Sequence, residues 1–443
     1  MRKFFNIIIA FAPLFLVGCE TNSSESTTSS VAQLTSFYFA KNDSMPGLST
    51  TFTIEELLDT GLVWNKDSML FGTSLEKAVP KFVFAATPSR VVLETPDTTC
   101  SLTGYDTLDF SKRPIYLTIE SSDRSTTKVY EIRPTVHQVD PDLFTWTKLT
   151  DAIYPEDDSE QRALELDDQF VMISSNGFAL HTYASPDGAT WLDLGSPTGL
   201  PAGTRVRQII SDHTMLYYGQ GNAIYYSSDG INWLSEAVDY PVITMLLYWN
   251  DRVWALVDNG KGYELAYVNE EGKLSLSGLQ PTDNFPISDF GAVCFQNASE
   301  RARAMIIGGF AENGQSLNTR WNLEYSTHPL PNGTYRLEEF SIDRPKFTSL
   351  TGISVVWYNK QLMLFGGVDD KQTYFGRDIY VSDNEGISWY AADSTKNQLP
   401  MEYSERQKQN AIVRDNYIYL FGGEDAIQTY SDVYRGRLNS IDW

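Results

Sequence analysis

From residue 141 onward the apolar positions fall in short runs broken by polar turns, and the runs recur along the chain. Aligned on a tyrosine, six copies stand out: Leu180-His181-Thr182-Tyr183, Ile224-Tyr225-Tyr226, Leu265-Ala266-Tyr267, Leu323-Glu324-Tyr325, Ile379-Tyr380 and Val433-Tyr434. Successive tyrosines lie roughly 41 to 58 residues apart, the length of one four-stranded propeller blade. The repeat predicts a six-bladed β-propeller over residues 141–443. Upstream, from Val31 to Asp140, apolar and polar residues alternate: Ile115, Leu117 and Ile119 interleave with Tyr116, Thr118 and Glu120, and the polar stretch Ser121–Thr127 leads into Lys128–Ile132. That period of two with a polar turn predicts a β-hairpin. Phe37–Phe39 and Phe82–Phe84 supply further strands, Ile54–Leu58 reads as one helical turn, and residues 31–140 read as a small Ig-like β-sandwich.

Ahead of the last three tyrosine strands lies an apolar strand that ends in paired glycines: Ala304–Ile307 before Gly308-Gly309, Leu362–Phe365 before Gly366-Gly367, and Ile418–Phe421 before Gly422-Gly423. After the tyrosine strands come Ser185-Pro186-Asp187-Gly188-Ala189-Thr190-Trp191, Ser227-Ser228-Asp229-Gly230-Ile231-Asn232-Trp233 and Ser382-Asp383-Asn384-Glu385-Gly386-Ile387-Ser388-Trp389. Degenerate copies stand at Asn269–Gly272 and Pro331–Gly333. In such a turn a carboxylate or amide caps backbone N–H groups while glycine takes positive φ. The paired glycines resemble the kelch repeat, and the second element resembles the Asp-box of sialidase-type propellers.

Strand counting leaves the sixth copy one strand short. Its strands are Ala411–Val413, Tyr417–Gly422 and Ser431–Arg437, whereas Phe144-Thr145-Trp146-Thr147-Lys148-Leu149, just ahead of the first copy, matches the Trp-bearing strands elsewhere. The segment around Trp146 is therefore expected to complete the last blade and shut the ring, removing an open sheet edge. A seven-bladed ring, with extra strands between Asn269 and Asn318, is the alternative.

The first 30 residues read differently. Arg2 and Lys3 precede an apolar run from Phe4 to Val17, too short to span a bilayer and typical of a secretion signal over residues 1–18. Leu16-Val17-Gly18-Cys19 closes it and resembles a lipobox, which implies lipidation of Cys19 and a membrane partner through the lipid anchor. Residues 19–30, rich in Ser, Thr, Asn and Glu, make a disordered tether. With 34 Lys and Arg against 57 Asp and Glu the net charge is −23, and removal of Arg2 and Lys3 takes it to −25. Such a chain is no nucleic-acid binder, because that binding depends on cations displacing counterions. Cys100 and Cys294 read as buried free thiols, with a disulfide as the alternative.

Lipobox, tether, small β domain, the phrase Val136-His137-Gln138-Val139-Asp140-Pro141-Asp142 and the propeller together resemble a family of uncharacterised Bacteroidetes lipoproteins built on a domain of unknown function. The resemblance implies secretion, lipid attachment in the cell envelope, with the outer membrane as the expected location, and the two-domain layout. It implies no activity.

Chemistry is sparse in the sequence. His137, His181, His213 and His328 lack metal-ligand spacing, and Glu156-Asp157-Asp158 and Asp369-Asp370 lack the glycine of a calcium loop, so neither metal nor cofactor is expected. A sialidase needs an arginine clamp, a tyrosine nucleophile and an acid. Arg162, Arg205, Arg207, Arg344, Arg406 and Arg414 are present, but the Arg-Ile/Leu-Pro element is not, which favours a non-enzyme. A propeller binds at the mouth of its channel, where the inner strands begin. Arg162, Arg205, Arg207, Asp289, Thr348, Arg406 and Gln407 are expected there. They suit an anionic or polyhydroxylated ligand such as a glycan, or an envelope protein. A glycosidase and a scaffold subunit remain the alternatives.

Overall fold

The computed structural model describes residues 28–439 apart from 58–59, 102–106, 155–159, 270, 298, 300, 327–333 and 343–346. Cys19, the Glu156-Asp157-Asp158 cluster, His328, Arg344 and the Pro331–Gly333 turn lie outside the described residues. The protein is all-β: the helical pieces among the described residues are two single turns, Pro46–Leu48 and Val206–Gln208. The chain divides into two compact units, Met1–Gln138 and Val139–Trp443.

In the first unit Leu34–Phe39 pairs antiparallel with Pro80–Phe84. A second sheet runs Thr53–Glu56, Thr60–Trp64, Thr127–Arg133, Tyr116–Glu120, Arg90–Glu94, Thr99–Ser101. The hairpin expected from alternation is present, and the alternation sorts the side chains: Leu117 and Ile119 are buried whereas Tyr116 is exposed. Phe37 packs against Phe39, Phe52 and Phe82 at ring-centroid distances of 5.2, 4.6 and 5.4 Å. Tyr130, fully buried, accepts a hydrogen bond from the Leu34 amide at 3.0 Å and donates one to Glu56 at 2.6 Å. The helical turn expected at Ile54–Leu58 is corrected: Thr53–Glu56 is a strand whose Ile54 opposes Val63, so ladder pairing overrides a weak local helical pattern. Cys100 and Cys294 are free thiols as expected, but neither is buried: Cys100 is half-buried and Cys294 exposed.

The second unit contains one four-stranded sheet of Glu160–Leu166, Gln169–Ser175, Leu180–Ser185 and Leu192–Gly195, and three more of the same size further along. The second and third sequence copies are fused into one six-stranded sheet, because Leu216–Ser227 and Leu234–Trp249 run on without a loop and shift register near Gly221 and Val242. Between Asn269 and Asn318 the described strands are Leu274–Leu276, Gly291–Gln296 and Ala302–Ile307, all belonging to these sheets. Innermost strands touch in cyclic order: Glu160–Leu166, Ile210–Ser211, Leu234–Trp249, Gly291–Gln296, Ser354–Tyr358, Asn410–Arg414, and Glu160–Leu166 again.

The last sheet takes its outer strand from the start of the unit. Phe144–Thr150 pairs antiparallel with Thr429–Leu438, setting Trp146 opposite Gly436 and Lys148 opposite Tyr434. Gly436 is required there: a Cβ would sit 2.4 Å from the Trp146 ring. The paired glycines do related work between sheets. At Gly422 and Gly423, φ is 51° and 107°, and a Cβ on Gly422 would lie 2.2 Å from the Gln161 side-chain oxygen of the adjoining sheet. Only glycine admits both the backbone angle and the approach.

The polar turns after the tyrosine strands share one hydrogen-bond plan. Asp229 accepts from the Ile231 and Asn232 amides, both at 2.8 Å, Ser227 Oγ accepts from the Gly230 amide at 2.9 Å, and Trp233 donates to the Gly230 carbonyl at 3.2 Å. Asp187 repeats this with Ala189 and Thr190, and Asn384 with Ser388. Burial by itself would raise the Asp229 carboxyl; the Asn232 side chain and amide, the Ile231 amide and the Ser227 hydroxyl outweigh it and hold the pKa to about 2.

Two outcomes follow from these contacts. Gly436→Val should lower stability by about 1–3 kcal/mol, as over-packing does, and should make Phe144–Thr150 the first protease-sensitive strand; thermal melts with limited proteolysis read both effects. Asp229→Ala should cost about 1 kcal/mol or less at neutral pH, since solvent screens an exposed carboxylate. Because the native pKa lies below the ordinary 3.8, the aspartate's contribution is full above that value and fades as pH falls toward about 2. Melting curves of wild type and variant should converge over that window.

Candidate functional site

The innermost strands enclose a cavity of about 630 Å³, within the range of small-molecule sites. Ala163, Met245, Ala292, Val355 and Ala411 form part of its wall. At the rim where the strands begin stand Glu160, Arg162, Arg205, Arg207, Asp289 and Lys408. At the far rim stand Glu165, His213, Tyr248 and Val413.

A hydrogen-bonded circuit organises the starting rim. The Lys408 amide donates to the Gly352 carbonyl at 2.6 Å, and the Gly352 amide donates to the Asp289 carbonyl at 2.9 Å. Asp289, Gly352 and Lys408 share left-handed backbone, with φ of 51°, 63° and 57°. Arg207 closes the loop. Its Nε donates to Asp289 Oδ1 at 3.0 Å, its Nη1 donates to the Lys408 carbonyl at 2.8 Å, and its own amide donates to Glu160 at 3.2 Å. One guanidinium thus ties together segments of three sheets.

Arg162 is placed differently. Half-buried, it donates Nε to the Ile209 carbonyl at 3.1 Å, and among the described residues no carboxylate lies within ion-pair distance of it. Burial, then the Arg207 charge, push its pKa down to about 10. Arg205 is exposed on the rim, with its backbone amide donating to the Tyr218 hydroxyl at 3.2 Å. At the far rim His213 Nδ1 lies 3.5 Å from Glu165 Oε2, and that contact, against burial, raises the imidazole pKa.

Of the expected rim residues, Arg162, Arg205, Arg207 and Asp289 line the cavity, and Thr348, Arg406 and Gln407 do not. Thr348 donates to Asp370 at 2.5 Å in an exposed loop. Gln407 exchanges backbone hydrogen bonds with Glu424. Arg406 is 1% exposed and paired with Asp432 at 2.5 Å, between the rings of Tyr403 and Tyr430 at 4.1 and 3.8 Å. The error is one of register. Ser288, Thr351 and Gln407 occupy equivalent bridges to Phe310, Val368 and Glu424, so Asp289, Gly352 and Lys408 are the equivalent rim positions. Thr348 falls three residues short of its bridge position, and Gln407 falls one short of the rim. Lys408, Glu160 and the far-rim residues were not singled out from sequence.

Arg406 is therefore a structural ion pair. Removing one partner of a buried pair strands the other charge and costs about 3–5 kcal/mol. Arg406→Ala should lose stability on that scale in chemical denaturation, and Arg406→Ala with Asp432→Ala should recover part of the loss.

The family model described as the DUF6242 beta propeller domain matches residues 140–443, and that of the DUF6242 N-terminal domain, a domain of unknown function, matches residues 21–133. None of the curated proteins matches the chain. Among solved structures, one described as "Structure of YjhT" is 14% identical with a TM-score of 0.47, covering 63% of this chain and 94% of that one. With its repeated four-stranded sheets and both family models in chain order, the chain belongs to the DUF6242 family, and its C-terminal unit is a β-propeller.

Proposed function

We propose that the chain is a non-catalytic binding module of the cell envelope, anchored by a lipid on Cys19, which engages an anionic or polyhydroxylated glycan through the channel of a six-bladed propeller. The cyclic contact order of the innermost strands supports the blade count, with the long six-stranded sheet supplying two blades. The two packed sheets of the first unit support a sandwich that acts as a spacer. Gly18-Cys19 at the end of the apolar leader supports the anchor.

One observation carries the binding reading. A strongly acidic protein places Arg162, Arg205, Arg207 and Lys408 around one rim of its central cavity. Cations collected at a concave site in a negative field favour an anionic ligand there.

A glycan array probed with the intact protein should show acidic glycans bound in preference to neutral ones, with signal lost in Arg162→Gln/Arg205→Gln. Equal binding to neutral glycans, or an unchanged signal in the double variant, counts against the channel. Radiolabelled palmitate supplied to expressing cells should label wild type and not Cys19→Ser; label in both removes the anchor.

A further inference from the structure

The four cavity cations do not have the same work to do. Arg207 spends its guanidinium on Asp289 and the Lys408 carbonyl, and the Lys408 ammonium lies 2.8 Å from Glu424. Arg205 is out in solvent. Only Arg162 combines partial burial, a place on the cavity wall and no carboxylate partner among the described residues. Its Nε is taken by the Ile209 carbonyl, and among the described residues the two terminal amino groups make no hydrogen bond or ion pair, so they are left as donors on a cavity-lining side chain. Two parallel N–H groups match the two oxygens of a carboxylate.

The charge balance sets the class of ligand. Arg162, Arg205, Arg207 and Lys408 face Glu160, Glu165 and Asp289 around the wall, four cations against three carboxylates before His213 beside Glu165 is counted. That suits a monoanion better than a dianion, whose second charge would meet three carboxylates.

We propose that Arg162 is the anion-coordinating residue of the channel, that it takes the carboxylate of a small monoanionic ligand end-on, and that Arg207 is a brace which does not bind ligand. The assignment rests on the channel-binding reading above and narrows it. It carries a distinctive consequence for the unliganded protein. A half-buried guanidinium without a carboxylate, next to the Arg207 charge, destabilises the empty fold, as binding residues commonly do. The bound carboxylate relieves that cost, so ligand binding appears as thermal stabilisation.

Thermal unfolding of the intact protein at constant ionic strength, with glucuronate, propionate or glucose, tests this. Wild type should gain midpoint temperature with glucuronate and not with glucose. Propionate separates the sources: a response equal to that of glucuronate identifies a simple organic acid as sufficient, and a weaker one identifies an acidic sugar. Arg162→Gln should melt above wild type without ligand and bind glucuronate at least tenfold more weakly. Arg162→Lys, which keeps the charge and loses the fork, should also bind more weakly. Arg207→Gln should melt lower and keep a glucuronate response, reduced by the lost rim charge but larger than that of Arg162→Gln. A glucuronate response retained in Arg162→Gln, or lost in Arg207→Gln while that variant remains folded by circular dichroism, overturns the assignment. So does the absence of any carboxylate response in wild type. Carboxylate stabilisation through Arg162 with a blank glycan array sinks the glycan reading alone; array binding indifferent to Arg162 sinks this assignment alone.

Discussion

The propeller depends on one antiparallel pairing between segments nearly three hundred residues apart in sequence, Phe144–Thr150 with Thr429–Leu438. A toroidal stack of twisted sheets has no hydrophobic centre common to all of them; each sheet buries its faces against two neighbours. The cores reflect this, because the Phe144, Tyr358, Phe365 and Tyr434 cluster lies between the last two sheets while Phe170, Tyr183 and Phe421 link the first to the last. Without the closing strand the final sheet would present an unpaired edge. Gln161 adds to the seam by donating to the Tyr430 carbonyl at 2.6 Å, and the Asn410 side chain accepts from the Ala163 amide at 2.8 Å.

On that frame, the arginines divide by the company they keep and not by their position in the sequence. Arg406 is neutralised by Asp432 and enclosed by two tyrosine rings, Arg207 is spent on tying its own sheet to the Asp289 and Lys408 segments, and Arg162 lines the cavity with only its Nε bonded among the described residues. Each is a guanidinium near the start of an inner strand. Their chemistry differs because the low-dielectric surroundings reward a paired charge and penalise an unpaired one.

Much of this architecture is legible in the amino-acid sequence. The recurrent tyrosine strands, the paired glycines and the Trp146 segment each answer to a local rule of period, backbone angle or strand count, and such rules act within a few residues. The site was less legible, because rim positions depend on register across loops of unequal length. Asp289 was placed on the cavity, whereas Thr348 and Gln407 were each displaced along the chain and Arg406 points into protein. The strand at Thr53–Glu56 was misread for a related reason: its partner Thr60–Trp64 decides its conformation, and a short segment carries no record of its partner. Fusion of the second and third sequence copies into one six-stranded sheet leaves no sequence mark, since the chain there simply lacks a turn.

The closing strand also orders events in time. Phe144–Thr150 is synthesised first in its unit yet finds its hydrogen-bonding partner only when Thr429–Leu438 exists, so every intermediate sheet can form before the ring is shut. A contact so distant in sequence is slow to form because the loop entropy is met before the pairing rewards it. Until then the nascent chain carries a strand with a free edge at one end and a three-stranded sheet awaiting a fourth at the other. The same circularity makes new termini in a blade-connecting loop tolerable in principle, with the old seam becoming an ordinary turn, so the order in which blades are made is separable from the order in which they stand.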